Sequence, residues 1–476
     1  MKIKLICLFL ALVFLNLTIL TTIDDSLSED LGRHLTIGRL INQTHQIPKT
    51  NLFSHTQPDH VFLNHHWLPQ LVFWKIYQSF GLTGLFVLKL VLFNLTCGLL
   101  FLTLTDKRKS TSFLILPLFA LGLCMWNMRF DLRPELFSYL LLSLFLLILQ
   151  KPLTLRRSIA LTILQAFWVN THIYFFIGPL LVLITQLPKK QELKRFFLCF
   201  SFISGASLLN PHFLTGAIYP LTIFGNYGYT VAENQPFWVL ERYFKTFSYH
   251  IYKIFLVITS LSLTVSLKRK QISASLLQAF GLIFSLMMVR NFPLFLFFAL
   301  GPIIQNLSFI LKKHFHFVRR DLSNIIFTSG FFFLMIAFGS LFIPRKVKIY
   351  RPHFEAKYAP LAEFLEKNPP QGQIFNNYDP GSYLIFKLYP KNKVFVDNRP
   401  EAYSEDFFQK VYIPMQQNLN TFNRYAQVYD LKTIIWSKTD LATWAITFRK
   451  KVLPQLENWE KIYQDKVSLV YQKRPV

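Results

Sequence analysis

The chain has 476 residues, of which 52% are hydrophobic and 16% are charged, and its mean hydropathy is +0.33. Soluble domains carry about 25% charged residues, so this composition excludes a disordered protein and is typical of a polytopic membrane protein. The net charge of +26 does not indicate nucleic-acid binding, because much of it lies in short basic clusters between apolar runs. A disulfide framework and a cysteine-based zinc site are also excluded, since every cysteine lies in an apolar stretch: Cys7, Cys97, Cys124 and Cys199.

Apolar runs that are long enough, or nearly long enough, to cross a bilayer predict about eleven spans. They lie at 5–23, 82–104, 112–127, 136–150, 156–169, 173–187, 196–210, 249–267, 273–289, 293–311 and 324–343. The first run is predicted to be an uncleaved anchor, because its apolar core extends to Ile23 and no small-x-small cleavage site follows. The predicted fold class is therefore mostly α, a polytopic transmembrane helix bundle over residues 1–343 with a small C-terminal α/β domain over 344–476.

Basic clusters occupy alternate gaps between the spans, and the positive-inside rule makes those gaps cytoplasmic. The clusters include Lys2 with Lys4, residues 107–109, Lys151 with Arg156 and Arg157, Lys194 with Arg195, residues 268–270, and Lys312 with Lys313. With an odd number of spans, the N-terminus is cytoplasmic and the C-terminal domain is extracytoplasmic, in a multi-pass protein of the plasma (inner) membrane. Most acidic residues and most of the histidines fall in the opposite gaps, so titratable chemistry is expected at the outer face.

The first outer loop, 24–81, is predicted to contain two amphipathic helices that lie along the membrane surface, one around Leu31 and Leu35 and one around Leu68 and Ile76. The C-terminal domain shows short alternating runs that are separated by turn residues. Its candidate strands are 373–378, 393–397, 433–437 and 467–472, and its candidate helices are 357–368, 404–415, 420–429 and 441–452.

An acidic pair, Glu29 and Asp30, opens the first outer loop and is followed by His34. Asp30 and His34 are four residues apart, so they share one face of a helix. A carboxylate and an imidazole in this position can bind a divalent metal, or can act as a general base and the group that orients it. The alternative is purely structural, since Asp favours the start of a helix, and the spacing leaves both interpretations open.

Three arginines, Arg129, Arg133 and Arg290, are predicted at outer ends of spans and are candidates for binding a phosphate, which suits the guanidinium group. The alternative for the 129–135 turn is a network of arginine and acidic side chains that stiffens it. The other polar candidates at the outer face are His65, His66, Glu135, Asn170, His172 and Glu233. Lys89 lies inside the second predicted span, where it either extends toward the interface or pairs within the bundle.

These motifs, in this order, resemble those of bacterial membrane glycosyltransferases of the GT-C superfamily, in the branch related to protein O-mannosyltransferases. The resemblance covers nearly the whole chain. The motifs that carry it are EDLGRHLTIGR at 29–39, IPKTNLFS at 47–54, HHWL at 65–68, RPELFS at 133–138, WVNTH at 168–172, NP at 210–211, RNFPLF at 290–295, GSYL at 381–384 and VFVDNRPEAY at 394–403.

The resemblance implies inverting transfer of a hexosyl or pentosyl group from a polyprenyl-phosphate-linked donor to an acceptor at the outer face. It assigns the catalytic carboxylate to Asp30, beside Glu29, with His34 and His66 orienting it or sharing a divalent metal ion with it. Two acids of the family pattern are replaced, one by Ser28 and one by His66.

These two replacements favour a first alternative, a non-catalytic protein that binds lipid-linked sugars or assists assembly. A transporter is the second alternative. The near absence of acids within the predicted spans argues against it, because ion-coupled carriers usually place acids there.

Overall fold

A computed structural model describes residues 27–104, 112–126, 129–187, 192–223, 225, 227–314 and 352–475. Two expected spans, 5–23 and 324–343, lie outside these residues, and so do the basic residues 107–109. Each of the remaining expected spans coincides with a helical segment. The chain up to residue 314 forms α1 Leu31–Thr44, α2 Trp67–Leu104, α3 Ser112–Trp126, α4 Glu135–Leu149, α5 Leu155–Trp168, α6 Ile177–Thr185, α7 Leu193–Gly205, α8 Phe213–Thr222, α9 Phe237–Leu240, α10 Phe247–Lys268, α11 Ile272–Met287 and α12 Phe292–His314.

Among the described residues, three helical stretches are long and apolar enough to cross a membrane: Trp67–Leu104, Phe247–Lys268 and Val289–Leu311. A fourth results if Leu193–Leu208 and Phe213–Thr222, which meet at a bend of 96°, form one broken span. Shorter apolar helices include α4 and α11. The expected number of about eleven spans is therefore not confirmed.

Helix α1 is buried, so the prediction of a surface helix is wrong for this element. Leu31, Leu35 and Ile37 are all fully buried, and two glycines explain how closely α1 packs. A Cβ atom on Gly38 would lie 2.1 Å from the carbonyl oxygen of Gln70 in α2, and one on Gly32 would lie 2.4 Å from the carbonyl oxygen of Ser382. The helix is thus held between α2 and the C-terminal part of the chain.

Residues 352–475, called the tail below, combine short helices with a small sheet. The elements are α13 Ala359–Lys367, β1 Gln373–Asn376, α14 Gly381–Leu388, a π-helix Phe407–Tyr412 continuing into α15 Ile413–Gln417, α16 Leu419–Val428, β2 Leu431–Ser437, α17 Thr443–Thr447 continuing into a π-helix Phe448–Val452, β3 Trp459–Gln464 and β4 Ser468–Lys473. The strand order is β1-β2-β4-β3. Strand β1 runs parallel to β2, and the other two pairs are antiparallel.

The expected strand at 393–397 does not form. Val394 instead makes an isolated parallel bridge with Ser54 of the first outer loop, and its backbone N–H donates to the Phe53 carbonyl at 2.9 Å. Phe53 and Phe62 from that loop are each 2% exposed and belong to the two apolar clusters of the tail. The first outer loop and the tail therefore share a core, which fixes α1 against the tail.

Candidate active site

Asp30 immediately precedes α1, but its side chain accepts no capping hydrogen bond from that helix. Its Oδ1 atom accepts a hydrogen bond from Arg33 Nε at 3.4 Å, and its Oδ2 atom lies 3.7 Å from Arg133 NH1. The carboxylate is 16% exposed. Of the two interpretations that the sequence leaves open, the helix-capping contact is not made, and the carboxylate is aimed at two guanidinium groups.

The two arginines control the ionisation of Asp30. Burial raises the pKa of this carboxyl group, but the positive charges of Arg33 and Arg133 outweigh that effect and hold the pKa below its ordinary value. Asp30 is consequently an ionised carboxylate at neutral pH.

Arg129 and Arg133 form a network with acidic side chains from two segments. Arg129 NH2 donates to both carboxylate oxygens of Glu135, at 2.8 and 2.9 Å, in a pair that is almost fully buried. Glu233 Oε1 lies 2.6 Å from Arg129 NH1 and 2.8 Å from Arg133 NH1. Arg133 NH2 also lies 3.4 Å from Asp131. Glu233, which sequence reasoning treated as one polar residue among several, thus bridges the two arginines beside Asp30.

Arg290, the third candidate, belongs to a short 3-10 turn that precedes α12. Its NH1 group donates to Asn234 Oδ1 at 2.9 Å. Its Nε atom is buried and has no hydrogen-bond partner among the described residues, and the same holds for Arg133 Nε. Arg133, which contacts Asp30 and Glu233, and Arg290, which contacts Asn234, therefore each keep an unused N–H donor.

The histidines that the sequence predicts at the outer face form a cluster of their own. The ring of His66 lies 5.9 Å from His34, 3.9 Å from His65 and 5.2 Å from His172, measured between ring centroids. His34 Nδ1 accepts a hydrogen bond from Gln70 Nε2 at 3.2 Å, so its imidazole is oriented by α2. Burial and Arg33 lower the pKa of His34 well below its ordinary value, and burial and His65 do the same for His66. Both imidazoles are thus neutral at neutral pH.

Three further residues that the sequence analysis singled out contact other groups. Asn170 Oδ1 accepts a hydrogen bond from Trp67 Nε1 at 2.9 Å, so it joins α2 to the end of α5. The Glu29 side chain is 63% exposed and pairs with Lys357 of the tail at 3.4 Å. Lys89 is 2% exposed, and its Nζ atom lies 4.5 Å from the centre of the Phe130 ring, which favours pairing within the bundle.

Arg33 is a site residue to which sequence reasoning assigned no role. A signal was present, because Asp30 and Arg33 are three residues apart at a helix start, where such pairs meet. The backbone N–H of Arg33 donates to Ser382 Oγ of the tail at 3.0 Å. That contact joins residues 349 positions apart, and no local pattern in the sequence indicates it.

The described residues do not fit the expected divalent metal ion. Asp30, His34 and His66 were its predicted ligands, yet no group of three His, Cys, Asp or Glu side chains among the described residues is arranged to hold a metal. The guanidinium groups that face both oxygens of Asp30 would also repel a cation there.

Three comparisons with known proteins bear on this fold. No protein-family model and no curated protein matches the sequence. Solved structures do match. Archaeal oligosaccharyltransferase AglB from Archaeoglobus fulgidus, in complex with an inhibitory peptide and a dolichol-phosphate, gives a TM-score of 0.62 at 12% identity, over 91% of this chain and 69% of that one. The oligosaccharyltransferase of the same organism in complex with Zn and sulfate gives a TM-score of 0.59 at 12% identity, over 98% of this chain and 73% of that one. Arabinofuranosyltransferase AftD from Mycobacteria gives a TM-score of 0.55 at 11% identity, over 100% of this chain and 40% of that one.

The chain has a GT-C fold. Identities of 11–12% establish the fold alone, so the activity has to be argued from the site. The helices of this chain that are long and apolar enough to cross a membrane indicate a membrane-embedded protein.

Proposed function

We propose that this GT-C protein is an integral membrane glycosyltransferase that transfers a sugar from a polyprenyl-phosphate-linked donor to an acceptor at the outer face of the plasma membrane. The observation that supports it most is the position of the Asp30 carboxylate beside the Arg133 guanidinium, 3.7 Å away. An anionic base and a phosphate-binding group are the two parts that such a transfer needs, and here they are neighbours.

In the proposed reaction, the acceptor hydroxyl attacks the anomeric carbon from the side opposite the phosphate. Asp30 takes the hydroxyl proton, the new bond forms between the acceptor oxygen and the anomeric carbon, and the bond from that carbon to the phosphate oxygen breaks. The electron pair leaves with the phosphate, and the configuration inverts. A positioned general base contributes roughly 10²–10⁴-fold to such a rate.

The arginines act on the leaving group. Negative charge grows on the phosphate as the glycosidic bond breaks, and guanidinium groups fixed in a water-poor site stabilise that charge. Arg129, Arg133 and Arg290 are the proposed phosphate ligands, and apolar grooves between helices take the polyprenyl chain. No step is assigned to a metal ion.

The pairing of Asp30 with Arg33 favours a second candidate function, a non-catalytic protein that binds lipid-linked sugars. A carboxylate whose pKa lies below its ordinary value is a weaker base, because it holds a proton less readily. The arginines would bind a lipid phosphate equally well without any transfer.

The variant Asp30→Asn separates the two functions, because it keeps the shape of the side chain and removes the base. With purified protein and a polyprenyl-phosphate sugar, we expect sugar transfer to fall by about 10²-fold or more, while donor binding changes much less. Glu29→Gln is the matched control, since Glu29 is adjacent but faces Lys357, and it should retain transfer. Wild-type protein that binds the donor but transfers no sugar would favour the binding function.

A further inference from the structure

One short turn covers all three arginines to which we assign the donor phosphate. It is the 3-10 turn Ala232–Asn234, called the covering turn below, in the loop between α8 and α9. Glu233 bridges Arg129 and Arg133, while Asn234 accepts from Arg290. Two consecutive side chains of this turn thus bind guanidinium groups that come from two different parts of the bundle.

The contacts of Glu233 have the form of an oxyanion site. Its Oε1 atom meets both NH1 groups, at 2.6 and 2.8 Å, and its Oε2 atom accepts from Arg133 NH1 at 2.8 Å. An oxygen anion held between two guanidinium groups is the arrangement that a phosphate takes. A phosphodiester also carries one negative charge, so replacing Glu233 by it leaves the charge of the site unchanged.

The two carboxylates on Arg129 differ in how easily they can leave. Glu135 is 2% exposed and belongs to the first turn of the 15-residue helix α4. Glu233 is 32% exposed and lies in a three-residue turn with no buried residue. Moving α4 would disturb the apolar core, whereas moving the covering turn would not. Glu233 is therefore the exchangeable partner of Arg129 and Glu135 the permanent one.

We propose that Glu233 occupies the position of the donor phosphate, and that the covering turn leaves the arginines when the donor binds. This inference rests on the proposed function, because it takes the arginines as the phosphate ligands. The same displacement uncovers Arg290, whose Nε atom has no hydrogen-bond partner among the described residues. The donor phosphate then competes with the Glu233 carboxylate for Arg129 and Arg133.

Two anchors limit this movement. On one side, Tyr229 stacks on Tyr378 of the tail with ring centroids 4.1 Å apart. On the other side, the Gln235 carbonyl accepts from the Val289 backbone N–H at 3.0 Å. The covering turn between these anchors can swing away while the rest of the loop stays attached.

The test measures binding of sugar-free polyprenyl phosphate to the purified full-length protein in phosphatidylcholine nanodiscs. Glu233→Gln removes the competing charge, so we expect the apparent Kd to fall about five- to tenfold, because a larger fraction of the protein is open to the ligand. Glu233→Asp keeps the charge on a shorter side chain and should give a smaller decrease. Glu241→Gln is the matched control, since Glu241 pairs with Lys253 instead, and its Kd should change less than twofold.

An unchanged or higher Kd in Glu233→Gln would overturn the inference and make Glu233 a positioning partner of the arginines. Arg133→Gln tests the underlying function separately and should raise the Kd. If both Arg133→Gln and Glu233→Gln raise the Kd, the proposed displacement of Glu233 is wrong, while the assignment of the arginines to the phosphate stands. If wild-type protein does not bind polyprenyl phosphate, or Arg133→Gln leaves its Kd unchanged, the phosphate assignment fails with it.

Discussion

Four guanidinium groups come close together at one end of the helix bundle, and buried like charges are costly unless counter-charges lie between them. Carboxylates from three segments supply those counter-charges. The arginines are Arg33, Arg129, Arg133 and Arg290, and the carboxylates are Asp30, Glu135 and Glu233. Charge clustering and span order in the sequence predict that these residues face the same side. The particular pairs do not follow from sequence, because Glu233 reaches Arg133 from 100 positions away.

Glu355 gives a pH dependence that can be tested at the level of one residue. It is 5% exposed, and burial raises its pKa to about 7 in spite of Lys357, 3.3 Å away. At pH values between 4.5, the ordinary pKa of a glutamate, and about 7, Glu355 is protonated in the native protein but ionised in the unfolded chain. The contribution of Glu355 to the free energy of unfolding is therefore greatest below about pH 4.5. It declines as the pH rises to about 7, by at most about 3 kcal/mol.

We therefore expect Glu355 to raise the melting temperature at pH 5 relative to pH 8, measured as the difference between wild type and Glu355→Gln, whose amide does not ionise. The control Glu363→Gln, which changes an exposed carboxylate, should behave like wild type. The comparison between variants is needed because other groups also titrate: Asp379, whose pKa is raised to about 8 by burial and Asp440, acts in the same direction, and His34 and His66, whose pKa values are lowered, act in the opposite direction. Equal pH profiles for wild type and Glu355→Gln would contradict the assignment.

At the level of elements, the position of α1 depends on a glycine. Because a Cβ on Gly38 would lie 2.1 Å from the Gln70 carbonyl oxygen, Gly38→Ala must push α1 away from α2. Such overpacking costs about 1–3 kcal/mol. Gly98→Ala is the matched control, since it is also helical and has no atom within 4 Å of the added carbon. It should be neutral or gain up to about 1 kcal/mol from helix propensity.

Thermal unfolding and sugar transfer together check this prediction. Gly38→Ala should lower the melting temperature, and it should also reduce transfer, because α1 carries Arg33 and directly follows Asp30. Gly98→Ala should change neither. A Gly38→Ala protein that melts and reacts like wild type would show that α1 can shift without consequence, and the close contact would then not determine the site.

The elements differ in how well sequence alone predicts them. Long apolar runs predict helices, since a buried or membrane helix needs only local hydrogen bonds. The run 393–397 has a strand pattern, yet its backbone partner is Phe53 in the first outer loop, so it forms one bridge and no strand. Strand β3 was missed because the sequence WEKIYQ at 459–464 shows no strict alternation of apolar and polar residues, and most of the strand is exposed.

Across the whole molecule, the basic clusters between the predicted spans and the candidate site lie at opposite helix ends. Helix α4 starts at Glu135 in the site and is followed by Lys151, while α5 starts beside Arg156 and ends near His172. Helix α10 ends at Lys268, and Arg290 lies just before α12, whose far end carries Lys313. This separation is the arrangement expected if the basic ends are cytoplasmic and the site is outside.

Cysteine labelling in intact cells tests that orientation. The four native cysteines are first replaced by alanine, and a single cysteine is then introduced at Gln409 in the tail or at Lys268 at the end of α10, both of which are exposed. A membrane-impermeant maleimide should modify the cysteine at Gln409→Cys and spare the one at Lys268→Cys, because only the first faces outward in the proposed topology. After the cells are permeabilised, both should react, which controls for accessibility of the thiol.

If Lys268→Cys is labelled in intact cells and Gln409→Cys is not, the tail and the Asp30 site face the cytoplasm. The donor would then have to present its sugar on that side, and the proposed transfer at the outer face would be wrong even if the chemistry of Asp30 and the arginines were correct.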